Sequence, residues 1–212
     1  EEQKNQRCRR SSSASFQPCA GCALQRPQRG VVARNCRICL YESQGIGGQG
    51  VLTLSNIIRK MALSNGYKCE GATFKGGAQR MGSIHSELRI ITNKPHKVIS
   101  SQIPIGDVDL LIATEPWEAL RYANRCNSKT QLVVNSKIET FYVNRFEKPK
   151  IKNPVDTLKK LFINHIIEDF SQQAANQSST DFRLNTLMLN MAVKTKIIPF
   201  TEKDLKNQIT QL

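Results

Sequence analysis

The pattern Gly45-x-Gly47-x-x-Gly50 stands between an apolar segment, Ile38 to Tyr41, and a run of apolar residues at helical spacing. Glycines so placed allow a tight turn and bring backbone N–H groups close to an anion, which a helix N-terminus also attracts. The chemistry on offer is the binding of a phosphate or carboxylate rather than the breaking of a bond. Glu70 lies twenty residues beyond Gly50, where a nicotinamide dinucleotide fold places the acid that holds a ribose hydroxyl. One reading is therefore a stand-alone NAD-binding oxidoreductase using Gly45, Gly47, Gly50 and Glu70. The other is that these glycines serve only the turn and close helix–sheet packing.

A second group of chemically capable residues is Cys19-x2-Cys22 with Cys36-x2-Cys39, thirteen residues between the pairs. Four thiolates at this spacing suit a structural zinc ribbon, and a nucleic-acid-binding protein could carry one. Cys36 and Cys39, however, fall in an expected strand, which points residues three apart to opposite faces. No metal site is therefore assigned. Cys69 and Cys126 read as small hydrophobes, and no C-x2-C-x2-C-x3-C-P run is present to hold an iron–sulfur cluster. Of the three histidines, His85 lies in an expected strand as a packed or rim residue, His96 in a loop and His165 in an expected amphipathic helix. No nucleophile–base arrangement or hydrolytic carboxylate pair is legible from spacing.

These residues need elements to hold them. Arg37 to Ser43 predicts a first strand, and Val51, Leu54, Ile57, Ile58 and Met61 predict a helix that stops at Asn65-Gly66. Tyr67 to Phe74 predicts a second strand, and Ser83 to Ile90 alternates polar with apolar as a half-buried strand does. Val108 to Ala113 is a short apolar run typical of a buried parallel strand. Pro116 opens a helix through Arg125, and Leu132-Val133-Val134 is another buried strand. Val155 to about Ala175 predicts one helix with Leu158, Leu161, Phe162, Ile166 and Phe170 on a stripe. Asp181 to Val193 predicts another, and Thr201 with Asp204 begins a last one. The alternation gives an α/β class: an open, mostly parallel, Rossmann-like sheet with helices on both faces.

Residues 1–35 carry Ser11-Ser12-Ser13, Pro18, Pro27 and scattered arginines, and read as a basic, poorly ordered tail before one α/β domain over 36–212. The net charge of +14 divides as seven basic against two acidic residues up to Asn35 and twenty-four against fifteen beyond it. A positive field this diffuse suits anionic cofactors or an acidic protein partner. Neither an aromatic-basic RNA-binding motif nor a helix-turn-helix signature accompanies it, so nucleic acid is not the expected partner. No apolar run reaches the ~20 residues of a membrane span, and no signal-peptide pattern opens the chain. The expected location is the cytoplasm.

The full string Gly45-Ile-Gly47-Gly48-Gln49-Gly50-Val51 is similar to the "G-[IV]-G-G-Q-G-V" of the gamma-type domain of 2-oxoacid:ferredoxin oxidoreductases. Gly76-Gly77-Ala78-Gln79-Arg80-Met81-Gly82-Ser83 resembles that family's "G-x-A-Q-R-G-G-S", with Met81 in place of a glycine. Asp107-Val108-Asp109, Glu115-Pro116-Trp117-Glu118-Ala119-Leu120-Arg121, Val133-Val134-Asn135 and Arg183 to Leu189 resemble later blocks in the same order. The glutamine–arginine form resembles the indolepyruvate branch and its small subunit.

The resemblance implies a subunit that works in a hetero-oligomer and is inactive alone. Its complex would oxidatively decarboxylate a 2-oxoacid, an aryl pyruvate by preference, to an acyl-coenzyme A. It implies thiamine diphosphate in a large (alpha) partner subunit, iron–sulfur clusters passing electrons to ferredoxin, and no cofactor held by this chain alone. Gly45, Gly47, Gly48, Gln49, Gly50, Gly76, Gln79, Gly82 and Ser83 are the implied cofactor-facing positions, with Gln79 and Ser83 as hydrogen-bonding neighbours. Arg80 is the implied anion contact, with an interface salt bridge as its alternative role.

Overall fold

The computed structural model describes residues 36–42, 50–75, 84–92, 102–138, 152–176 and 182–210. All belong to the compact unit Ala33–Leu212. The basic segment 1–35, with Cys19 and Cys22, lies outside the described residues, as does His96.

Strand β1 (Cys36–Glu42) leads to helix α1 (Gly50–Ser64). Val51, Leu54, Ile57, Ile58 and Met61 recur every three or four residues, so one face of α1 is buried. The helix ends where the sequence stops it. Tyr67 N–H donates to Ala62 O at 2.8 Å, and Gly66 adopts φ +72°, a left-handed conformation that side chains disfavour. Strand β2 (Lys68–Lys75) turns back as β3 (Ile84–Ile91), and β4 follows over Val108–Ala113.

Beyond β4 come α2 (Pro116–Arg121), β5 (Cys126–Asn135), α3 (Pro154–Leu161) and β6 (His165–Glu168). Helices α4 (Phe170–Asn176), α5 (Phe182–Lys194) and α6 (Glu202–Ile209) complete the described chain. The six strands form one sheet in the order β2-β3-β1-β4-β5-β6. Strand β1 is parallel to β4, β4 to β5 and β5 to β6, whereas β3 is antiparallel to both β1 and β2. The sheet is thus mostly parallel, with one antiparallel hairpin at its edge.

Both faces are covered. Leu110 and Ile112 of β4 pack with Ile38, Leu88, Val133 and the buried faces of α1, α5 and α6. Leu111 and Ala113, one residue out of phase, pack with Leu132, Val134, Ala119 of α2 and Leu158 of α3. A strand buried on both sides must be apolar at every step, which is why β4 reads as an unbroken run. Each fully buried Leu or Ile contributes about 2 kcal/mol. Thr201 and Asp204 close the predicted capping box at the start of α6.

Two expectations fail here. Val155 to Ala175 is not one helix but α3, the edge strand β6 and α4. Phe162 takes extended angles (φ −124°, ψ 123°), Leu161 is 56% exposed, and Ile166 and Ile167 pair with Val133 and Val134. The β-branched pair gains more from a ladder with β5 than from a helical stripe. His165 is accordingly the first residue of β6, with Nδ1 at 2.8 Å from Phe162 O, and not a helix residue. The helix expected over 116–125 is α2 followed, after Tyr122, by a single 3-10 turn, Ala123–Arg125.

Gly71 shows how closely β2 lies on β3. A methyl group there would overlap the carbonyl oxygen of Glu87 and stand 2.8 Å from Leu88 Cδ2. Gly71→Ala is expected to cost about 3 kcal/mol, read by urea denaturation, because the colliding atom is backbone in the middle of a ladder.

Candidate functional site

Strands β1, β4, β5 and β6 all end on the same side of the sheet, at Glu42, Ala113, Asn135 and Glu168. From β1 the chain moves by α1 to β2 and β3 on one side, while β4, β5 and β6 are laid down on the other. The strand order therefore reverses between β1 and β4, and the carboxyl ends there flank the crevice in which open α/β sheets take ligands.

Both glycine-rich segments are anchored at this place. Glu42, after which residues 43–49 begin, pairs with Ile84, and Ile84 pairs with Lys75. The stems of the two segments thus lie abreast on three neighbouring strands, within roughly 10 Å of one another at the usual strand spacing. Gly50 is the first residue of α1, whose first turn carries no acidic residue to neutralise its N-terminal dipole. Gly45, Gly47, Gly48, Gln49, Gly76, Gln79, Arg80, Gly82 and Ser83 lie outside the described residues.

Around these stems the structure assembles polar residues to which the sequence assigned no role. Glu115 and Glu118 are fully buried. Glu115 Oε2 caps α2 by accepting from Glu118 N at 3.0 Å, and Arg121 Nη1 stands 3.3 Å from Glu118 Oε1. Asn135 joins three strand ends: its Nδ2 donates to Thr114 O (3.1 Å) and Ser171 Oγ (2.9 Å), and its Oδ1 accepts from Ser171 N (3.3 Å). Glu87, 1% exposed, accepts from Arg125 Nη2 at 2.5 Å and from Ile103 N at 2.6 Å. His85 stacks on Phe74 and is half-buried; burial and the Arg125 charge lower its pKa, against an opposing pull from Glu87. A charged residue inside an otherwise apolar stretch, as with Glu118 and Asn135, was the available signal. Its partners come from other strands.

The geometry disposes of the dinucleotide acid. Glu70 pairs with Arg89, and Arg89 with Arg37 near the start of β1, whereas the glycine segment leaves after Glu42. At about 3.3 Å per residue the two ends of β1 are more than 15 Å apart. Strand β2 is also separated from β1 by β3, so it cannot serve as the second strand of a dinucleotide fold. Glu70 instead pairs with Lys68 at 2.8 Å, which with the neighbouring charge holds its carboxyl below the ordinary value.

The described cysteines do not suit a metal or a cluster. Cys36 is in the core, and burial pushes its thiol far up; burial also raises Cys69 and Cys126 to about 11. A ligand must be a thiolate, and these three sit on β1, β2 and the start of β5. No helix among the described residues is long and apolar enough to cross a membrane.

Residues 43–212 match the family described as pyruvate ferredoxin/flavodoxin oxidoreductase. The chain is 29% identical over 170 residues to the indolepyruvate oxidoreductase subunit IorB of Archaeoglobus fulgidus, covering 79% of this chain and 82% of that one. The fold is shared with the pyruvate oxidoreductase subunit PORC of Thermotoga maritima (TM-score 0.55, 15% identity, 84% of each chain). It is shared equally with the gamma subunit of a keto/oxoacid ferredoxin oxidoreductase of Geobacter sulfurreducens (TM-score 0.55, 17% identity, 83% of this chain and 85% of that one).

Proposed function

Because the chain belongs to the pyruvate ferredoxin/flavodoxin oxidoreductase family, we propose that it is the gamma-type subunit of a cytoplasmic 2-oxoacid:ferredoxin oxidoreductase acting on an aryl pyruvate such as indolepyruvate. The observation that carries this reading is the convergence of the stems of residues 43–49 and 76–83 on one register line, Glu42–Ile84–Lys75, at the switch point of the sheet. The indolepyruvate preference follows the name of the Archaeoglobus relative and the Gln79-Arg80 form of the second segment.

In such a complex a thiamine diphosphate, held by a large partner subunit, supplies the carbanion chemistry. Iron–sulfur clusters in the partners pass electrons to ferredoxin, and coenzyme A accepts the acyl group. This chain's part is binding and orientation. Arg80 supplies a planar, permanently charged fork to a carboxylate or phosphate of a ligand. Gln79 and Ser83 offer hydrogen bonds beside it, and the N–H groups around Gly45, Gly47, Gly48, Gln49 and Gly50, with those at Gly76 and Gly82, let an anion approach the backbone. The buried Glu115–Glu118–Arg121 group and the Asn135 clip hold the opposite rim of the crevice rigid.

The test is dye-linked oxidation of indolepyruvate and simpler 2-oxoacids with coenzyme A and thiamine diphosphate. The chain is assayed alone and co-expressed with its cognate large subunit. Turnover only in the co-expressed sample, with indolepyruvate ahead of pyruvate, is the expected result. Failure of the two chains to associate, together with absence of turnover, would remove the proposal.

A further inference from the structure

The stems of the segment that carries Arg80 are held by more than their own hairpin. Phe74 and His85 are direct cross-strand partners, one residue inside the last pair, Lys75–Ile84. Their rings stack at 4.6 Å between centroids, 16° from parallel. The Tyr122 ring lies 5.2 Å from that of His85 at 45°, and its hydroxyl is 3.4 Å from His85 Nδ1. Tyr122 comes from the end of α2, 37 residues further along the chain. Two residues along β3, Glu87 binds Arg125 of the adjoining 3-10 turn, and Arg125 Nη2 also donates to Ile103 O at 2.7 Å. Strand β3 is therefore fixed twice to the 122–125 segment, once by rings and once by charge.

This fixing has a purpose that core packing alone does not give it. Strand β2 is an outer strand of the sheet, and among the described residues only β3 pairs with it. The last pair of an outer hairpin is where a ladder opens most readily. Anything carried on the residues between Lys75 and Ile84 inherits the tilt of those two stems. We infer that Phe74, His85 and Tyr122 form an aromatic clamp whose role in the reaction is to position Arg80; the inference rests on the reading of Arg80 as an anion contact. The clamp members are positioning residues, and none needs to touch substrate. Stacking supplies most of the restraint, since a 3.4 Å contact between hydroxyl and ring nitrogen is weak. The lowered pKa of His85 suits this role, because a neutral ring stacks without carrying a charge into the half-buried site.

A misplacement of about 1 Å in a positioning group can cost as much as 100-fold in rate. In the assembled complex His85→Ala is expected to lower kcat/KM about 10-fold, and His85→Phe, which keeps a flat ring against Phe74, to restore most of the loss. The decisive readout is a cycle with Arg80→Ala. A residue acting through Arg80 has nothing left to position once Arg80 is gone, so His85→Ala should then change kcat/KM by less than about 2-fold. Should His85→Ala fail to assemble, Tyr122→Leu enters the same cycle with the same expected values. Full activity in the ring-deleted variants, or a loss that persists unchanged in the Arg80→Ala background, overturns the clamp and leaves the subunit reading standing. Full activity in Arg80→Ala itself overturns the role of Arg80 and the clamp with it.

Discussion

Arg80→Ala in the assembled complex is expected to lower kcat/KM for the 2-oxoacid about 100-fold while the subunits still co-purify, the size of effect seen when one preorganised donor to a developing or bound anion is removed. The argument is geometric as well as electrostatic. A guanidinium presents two parallel N–H donors that match a carboxylate or phosphate, whereas an ammonium is a point charge on a flexible stem. Arg80→Lys should therefore recover only part of the activity, remaining about 10-fold below the parent. The alternative role, an interface salt bridge, makes a different prediction for the same variant. Assembly would weaken, and turnover per assembled complex would stay near that of the parent. Measuring kcat/KM and the subunit dissociation constant on one preparation separates the two.

Arg125→Ala is expected to destabilise the chain by about 3–5 kcal/mol. Glu87 is 1% exposed, and its only printed partners are the Arg125 guanidinium and the Ile103 amide. Removing the guanidinium leaves a carboxylate inside the protein with a single hydrogen bond, far short of its hydration in water. For a domain of this size the expected fall in melting temperature is roughly 10 °C. The cause can be isolated by adding Glu87→Gln. A neutral amide oxygen still accepts from Ile103 N–H but carries no charge, so the double variant should regain much of what Arg125→Ala loses. If the double variant is no more stable than Arg125→Ala, the penalty comes from lost packing and not from the stranded charge.

What could be read from the chain was what is local. The end of α1 was legible because Gly66 is the residue that tolerates φ +72°. The start of α6 was legible because Thr201 and Asp204 satisfy each other's backbone groups at a spacing of three. Strand β4 was legible because burial on both faces leaves no polar position. Strand β6 was not, since Ile166 and Ile167 fit a helical stripe as well as a ladder, and only the neighbouring edge of β5 decides between them. Lys196, which leaves α5 at φ 58° where a glycine would be expected, carried no signal at all. The glycine segments were legible as anion-binding elements. That their stems meet on one register line was not, because it depends on β3 lying between β2 and β1. For the same reason Glu70 had the right spacing for a ribose contact and the wrong end of the sheet.

The place of β1 in the strand order bears on how the chain comes into being. Synthesised before every other strand of the sheet, β1 is nonetheless flanked by β3 and β4, and Arg37 finds its partner Asp109 only 72 residues later. A ribosome adding roughly 5–20 residues per second exposes β1 for several seconds before its second neighbour exists. During that interval Ile38 and the apolar face of α1 have no sheet to cover them. Loops closed over such distances also form slowly after release. The nascent chain is thus open to aggregation through its earliest segments, and a chaperone, or a partner subunit already made, would raise the yield of folded protein more than any gain in its final stability.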